Sequence, residues 1–330
     1  MYYEYTLINV GDADAMVINY QDDAQQWHTA VIDAGNLGDG GKIKSFIRHN
    51  VKNTLKVIDY AICTHPDSDH KGGFFDLLDD RWVRIENFCI LRPDDAVSSD
   101  SRIQSFETPA ELVSAAKAVY NHPKDDKRNL LDDITNHSTF YNWQYGKDLP
   151  GMPLMIIGPH YDYFRDAAIE MASDYKEIKD EEEPDVYAED ELPTEDEAKS
   201  VMDEVKEESP TNKSSMILLF HPQGRNFLLA GDACGASIHQ AINDYPEIMG
   251  ATLKVPHHGS KHNLTTEVID LLRPGQSVIS CKGSKKHPNS AIVHFLSKYG
   301  KVFATSKSGT LTYTNGPVTN PAIPLRDRHD

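Results

Sequence analysis

The chain is 330 residues long and 39% apolar, enough for one large domain, or two ordinary ones, with a real core. No stretch approaches the roughly 18 apolar residues of a membrane helix, and the opening "MYYEYTLINV" alternates like a strand instead of running as a signal peptide, so a soluble, cytoplasmic protein with no membrane partner is expected. The net charge of −18 would argue against a nucleic-acid partner if it were evenly spread, but residues 174–208 alone hold 17 Asp and Glu against 4 Lys, which leaves about −5 for the rest.

Along the chain, β-rich runs are predicted at 3–10, 14–20 and 28–35, then a helix near 42–53, then strands at 57–64 and 85–91. Residues 92–149 read as polar, with one helix near 109–121 and a loop. Further strands are expected at 153–159, 214–220, 226–232, 252–258, 277–282, 302–306 and 310–314, with helices near 236–244, 265–272 and 290–299. A strand meander followed by interspersed helices fits two sheets packed face to face under outer helices better than one parallel sheet. The acidic stretch carries prolines and few large apolar residues, so a solvated, flexible insertion at about 166–212 is expected within a single domain of residues 1–314. It would serve as a flap over a basic site or as the dock for a protein partner. Residues 315–330 read as a tail, and Cys63, Cys89, Cys234 and Cys281, far apart and without CxxC spacing, as buried thiols.

The stretch that carries chemistry is "AICTHPDSDHKGG", residues 61–73. A strand ending at Thr64 would let His65, Asp67 and Asp69 share one side, with His70 reaching in from the turn and Gly72–Gly73 packing closely where a helix begins. Two His and two Asp converging on one point are costly to bury without a cation. Two further strand ends have the same design: "FLLAGDAC" closes on Gly231–Asp232, and "LKVPHHGSK" on His257–His258. Three strand ends carrying Asp or His suggest one shared edge.

"THPDSDHKGG", "LLAGD" and "LKVPHHGS" resemble the metallo-β-lactamase fold superfamily, and most closely the hydrolase domain of ComEC-type DNA-uptake competence proteins, in a soluble stand-alone form. The wider superfamily has HxHxDH where this chain has HxDxDH, with Asp67 at the second His. "LINVGDADAMVI", "VIDAG", "NKSSMILLF", "SCKGSKKHPNS" and "VFATSKSGTLTYT" are similar to the branch's remaining segments. The resemblance implies an α/β fold, a four-layer αββα sandwich, with two divalent metal ions, Zn²⁺ or Mn²⁺. It implies that His65, Asp67 and Asp232 hold one ion and Asp69, His70 and His258 the other, with Asp232 bridging, His257 as the alternative to His258, and Asp33 orienting neighbours. His160 stands at the position of a third-motif histidine.

Exchange of an imidazole for the Asp67 carboxylate hardens the site toward oxygen ligation, which suits Mn²⁺ as well as Zn²⁺. Two cations at such a site lower the pKa of a bridging water and stabilise an in-line displacement at phosphorus. A phosphodiesterase or nuclease acting on DNA, RNA or a nucleotide is therefore expected, with Asp69 also accepting a hydrogen bond from the water. His287, flanked by Lys285 and Lys286, is a candidate for phosphate contact or leaving-group protonation, and Ser260 and Lys261 for phosphate contact. The alternatives are a hydrolase of a lactone, thioester or lactam on the same scaffold, and an effector or regulatory subunit of a multi-protein, possibly defence, assembly.

Overall fold

The computed structural model describes residues 1–50, 57–103, 108–174, 193–202, 208–283 and 287–315. In chain order these form β1 (Tyr2–Leu7), β2 (Ala15–Gln21), β3 (Trp27–Ala34), α1 (Gly40–Asn50), β4 (Val57–Cys63), α2 (Ser68–Leu78), β5 (Arg84–Ile90), α3 (Pro93–Ser99), α4 (Pro109–Ala118), β6 (Asn121–His122), β7 (Asp125–Asn129), α5 (Leu130–His137) and β8 (Thr139–Phe140). There follow β9 (Leu154–Gly158), α6 (Tyr161–Asp174), α7 (Glu195–Met202), α8 (Pro210–Lys213), β10 (Ile217–Phe220), β11 (Phe227–Leu229), α9 (Gly235–Asp244), β12 (Thr252–Lys254), α10 (Thr266–Leu272), β13 (Gln276–Ile279), α11 (Ser290–Ser297), β14 (Lys301–Ala304), α12 (Thr305–Ser308) and β15 (Leu311–Thr314). Each of the predicted strands is present. No helix among the described residues is long and apolar enough to cross a membrane.

Two large sheets form, ordered β15-β1-β2-β3-β4-β5-β8 and β14-β13-β12-β11-β10-β9. Each joins an antiparallel part to a parallel part, with β3, β4, β5 and β8 parallel in the first and β11 through β14 parallel in the second. Aromatic side chains lock the sheets face to face: Tyr5 of β1 lies 5.1 Å from Phe227 of β11, and Tyr3 lies 5.7 Å from Phe220 of β10. Along β10, Leu218 and Phe220 enter this inner core, whereas Ile217 and Leu219 face a second core with α7, α9, α10 and α11. That alternation is what a strand buried on both faces requires. With α1 through α6 built on the first core, the layers are helix, sheet, sheet, helix.

Three expectations need correction. Helix α2 starts at Ser68, ahead of Gly72–Gly73, so Asp69 and His70 lie on its first turn instead of on a loop that precedes the helix. The two glycines matter for close approach: a Cβ on Gly73 would stand 2.0 Å from the Ala34 carbonyl oxygen, and one on Gly72 would stand 2.3 Å from the Leu37 nitrogen. The described parts of the span 166–212 are not a flexible insertion, since Ala167, Ala168, Met171 and Ala172 bury one face of α6, and Ala198 and Met202 bury α7 on the second core. Residues 175–192 and 203–207, with most of the acidic run, lie outside the described residues, as do 316–330 of the expected tail. Residues 92–149 hold α3, α5, a β6–β7 hairpin and β8 in addition to the one helix expected.

Candidate metal centre

The parallel strands of both sheets end at one edge, where loops carry the polar residues of the site. β3 ends beside Asp33, whose backbone is left-handed (φ +54°), a conformation that Asp tolerates better than most residues. Its carboxylate accepts from Thr64 N (2.8 Å), Thr64 Oγ1 (2.7 Å) and His70 Nδ1 (2.7 Å). The Thr64 hydroxyl, having given its hydrogen to Asp33, can accept from His65 Nδ1 at 3.1 Å. His258 Nδ1 donates to the Ser280 carbonyl at 2.9 Å. In all three imidazoles, Nδ1 is thus spent on the surrounding protein, which orients Nε2 toward a common centre.

At that centre His65 Nε2 lies 3.4 Å from Asp67 Oδ2 and 3.9 Å from Asp232 Oδ2. His70 Nε2 lies 3.2 Å from the other Asp232 oxygen and 3.7 Å from Asp69 Oδ2. Asp69, His70, Asp232 and His258 each present a ligand-capable atom within 4.8 Å of the others. Asp232 therefore stands between the two groups of residues, one oxygen turned to each. His257 lies on the solvent side of the cluster, its Nε2 4.0 Å from Asp232 Oδ2 and its Nδ1 2.9 Å from Asn263 Oδ1. Both His257 and His258 have left-handed backbone (φ +47° and +52°), a strained turn that lets consecutive imidazoles face one site. Thr211 of α8 donates to Asp67 Oδ2 at 3.2 Å.

Burial alone would raise Asp232 and Asp69, but His70 and His257 beside the first, and His70 and His258 beside the second, hold both carboxyls below the usual carboxylate range. Burial alone would lower His70 and His258. Asp232, Asp33 and Asp69 instead raise His70 well above an ordinary histidine, and the hydrogen bond to Asp69, with Asp14 nearby, raises His258. Positive charge is thus favoured at the centre of the cluster. A divalent cation would satisfy the same field, with release of those protons on binding. The donor set of imidazole nitrogens and carboxylate oxygens fits such an ion, and His65 Nε2, buried and without a hydrogen-bond partner among the described residues, fits it as a ligand atom.

Other expected residues are placed as follows. His287 is buried beside the pair, its ring centroid 5.7 Å from His257 and 5.8 Å from His258, whereas Lys285 and Lys286 lie outside the described residues. Ser260 Oγ accepts from the His262 backbone N–H, so that hydroxyl serves the turn, and Lys261 is half-buried in the same loop. His160 is not brought to the cluster. It bonds to Asp244 (2.6 Å) and Gln240 (2.7 Å) of α9 and packs on Tyr145, because β9 is the edge strand of the second sheet. Sequence reasoning missed Asp14 and Lys254, a fully buried ion pair behind His70 and His258. The signal was a lysine inside the apolar run "TLKVP".

No family model matches the chain. A stretch of 113 residues is 30% identical to ComE operon protein 3 of Bacillus subtilis (strain 168), covering 33% of this chain and 15% of that protein. The matched region is thus a small part of the relative's length. Among solved structures, the metallo-β-lactamase fold protein YhfI from Bacillus subtilis is 10% identical with a TM-score of 0.47, covering 96% of this chain and 100% of its own. Tm1679, a metal-dependent hydrolase of the β-lactamase superfamily, is 10% identical with a TM-score of 0.48, covering 94% and 98%. The strand-end motifs, the αββα layering and the His–Asp cluster where both sheets end give the chain the metallo-β-lactamase fold.

Proposed function

We propose that the chain is a metal-dependent hydrolase that cleaves phosphodiester bonds in DNA, RNA or a nucleotide. The observation that carries this reading is the placement of Asp232 between His65 on one side and His70 on the other, within a buried cluster of imidazoles and carboxylates. In this reading His65, Asp67 and Asp232 hold one divalent ion and Asp69, His70 and His258 a second, Zn²⁺ or Mn²⁺, with His257 at the rim. Such ions, when bound, activate water near neutral pH and offset charge in an in-line displacement.

The chain's own residues do the rest. Asp33, Thr64 and Ser280 hold the imidazole tautomers. Asp69, on the first turn of α2, can accept a proton from an attacking water, and the His287 imidazole can donate one to a leaving oxygen.

The test is turnover after loading with Mn²⁺ or Zn²⁺ on single-stranded DNA, duplex DNA, RNA, cyclic nucleotides and a synthetic phosphodiester, beside a lactone and a thioester. Phosphodiester cleavage abolished by both His65→Ala and Asp232→Ala is expected, with Mn²⁺ at least as effective as Zn²⁺. Turnover of the carbonyl esters alone would replace the phosphodiester reading. Full metal uptake with no turnover on any substrate would replace it by an effector or regulatory subunit.

A further inference from the structure

Five carboxylates among the described residues have an oxygen within 4.0 Å of an imidazole nitrogen of His65, His70 or His258: Asp14, Asp33, Asp67, Asp69 and Asp232. Full ionisation of all five exceeds by one the charge of two divalent cations. Lys254 is completely buried, and its Nζ is in direct contact with Asp14 Oδ2. The same Nζ donates to the Gly231 carbonyl at 3.2 Å, directly before Asp232. The ammonium is thus pinned between the turn before β2, the turn after β11 and its own strand β12, and it cannot swing toward the ligands. Asp14 in turn lies 3.8 Å from His258 Nδ1 and 3.9 Å from His70 Nδ1, on the side of those rings away from the centre.

We infer that Lys254 is a built-in counter-charge that cancels Asp14, so that the four remaining carboxylates match two divalent cations and the site takes up the second ion as readily as the first. The inference rests on the metal reading of the cluster. Its physical basis is that charges this deeply buried are weakly screened, so one uncompensated unit behind the imidazoles acts on every cation that their Nε2 atoms bind. Removal of Asp14 alone leaves a surplus positive charge and opposes the second ion. Removal of Lys254 alone leaves a surplus negative charge, which does not oppose it. Removal of both restores the balance. A purely structural tie would weaken metal binding whichever partner is lost.

The experiment is calorimetric titration of Mn²⁺ into the metal-stripped full chain, for the wild type, Asp14→Asn, Lys254→Met and the double variant, each checked for folding by thermal melting. Two ions are expected in the wild type, with the second weakened about tenfold or more in Asp14→Asn, not weakened in Lys254→Met, and within about threefold of wild type in the double variant. Equal weakening in both single variants, or an unchanged Asp14→Asn, overturns the inference while leaving the metal reading intact. A wild type that takes up no divalent ion overturns both. Should a single variant not fold, the double variant decides: two ions at near wild-type affinity support the inference, and loss of the second ion overturns it.

Discussion

Asp33 shows how much of the site depends on a residue that touches no substrate. One carboxylate fixes His70 directly and His65 through the Thr64 hydroxyl, so a single side chain determines which nitrogen two imidazoles present. Asparagine tolerates the same left-handed backbone but offers one acceptor oxygen in place of two. Asp33→Asn is therefore expected to fold as the wild type does and to bind Mn²⁺ or Zn²⁺ about 10- to 100-fold more weakly, as read by calorimetric titration. Unchanged affinity would show that His70 and His65 hold their orientation without it. At this scale His65, Asp67, Asp69, His70, Asp232, His257 and His258 were legible because His and Asp cluster directly after apolar runs. Asp14 and Lys254 were not, because the two partners lie 240 positions apart in the chain and no local pattern pairs them.

Helix α2 positions two of the cluster residues by starting early. Its first turn carries Asp69 and His70, and its Gly72–Gly73 pair lies against the loop after β3, so the helix can enter only if no Cβ intervenes. Gly73→Ala is expected to cost about 3 kcal/mol, seen as a lower urea midpoint at unchanged slope; an unchanged midpoint would mean that the β3–α1 loop yields freely. Helix α6 has a legible signal, since its buried residues 164, 167, 168, 171 and 172 follow the helical repeat, but the acidic residues downstream mask it in the composition of the segment. The short strands β6, β7 and β8 left no such trace, since two to five residues carry no measurable period.

At the scale of the whole molecule, the cluster joins the two sheets: His65 and His70 follow β4 of the first, and Asp232 and His258 follow β11 and β12 of the second. Its contribution to the metal-free fold depends on pH from both sides. Asp69 and Asp232 are depressed, so their share is present above about pH 4 and lost as pH falls through their folded values. His70 and His258 are raised, so theirs is full below about pH 6.5 and lost as pH rises through their folded values. The chelator-treated protein is therefore expected to draw most stability from this cluster between about pH 4 and 6.5. Mn²⁺ should raise the melting temperature more at pH 8 than at pH 6, because the imidazoles must lose protons to bind it. A metal-induced shift equal at both values would mean that the raised histidines are not ligands.

The sequence by itself determined every strand except β6, β7 and β8, the face-to-face packing of the two sheets and the identity of most cluster residues, because apolar periodicity and the residues that end each run are local properties of the chain. Only the tertiary structure decided the geometry. It turned Asp69 and His70 onto a helix, carried His160 to the far edge of the second sheet, set Asp232 between two imidazoles and buried Lys254 against Asp14. Those outcomes depend on which strand ends meet, and that is settled by the packing of two sheets whose contacts span most of the chain.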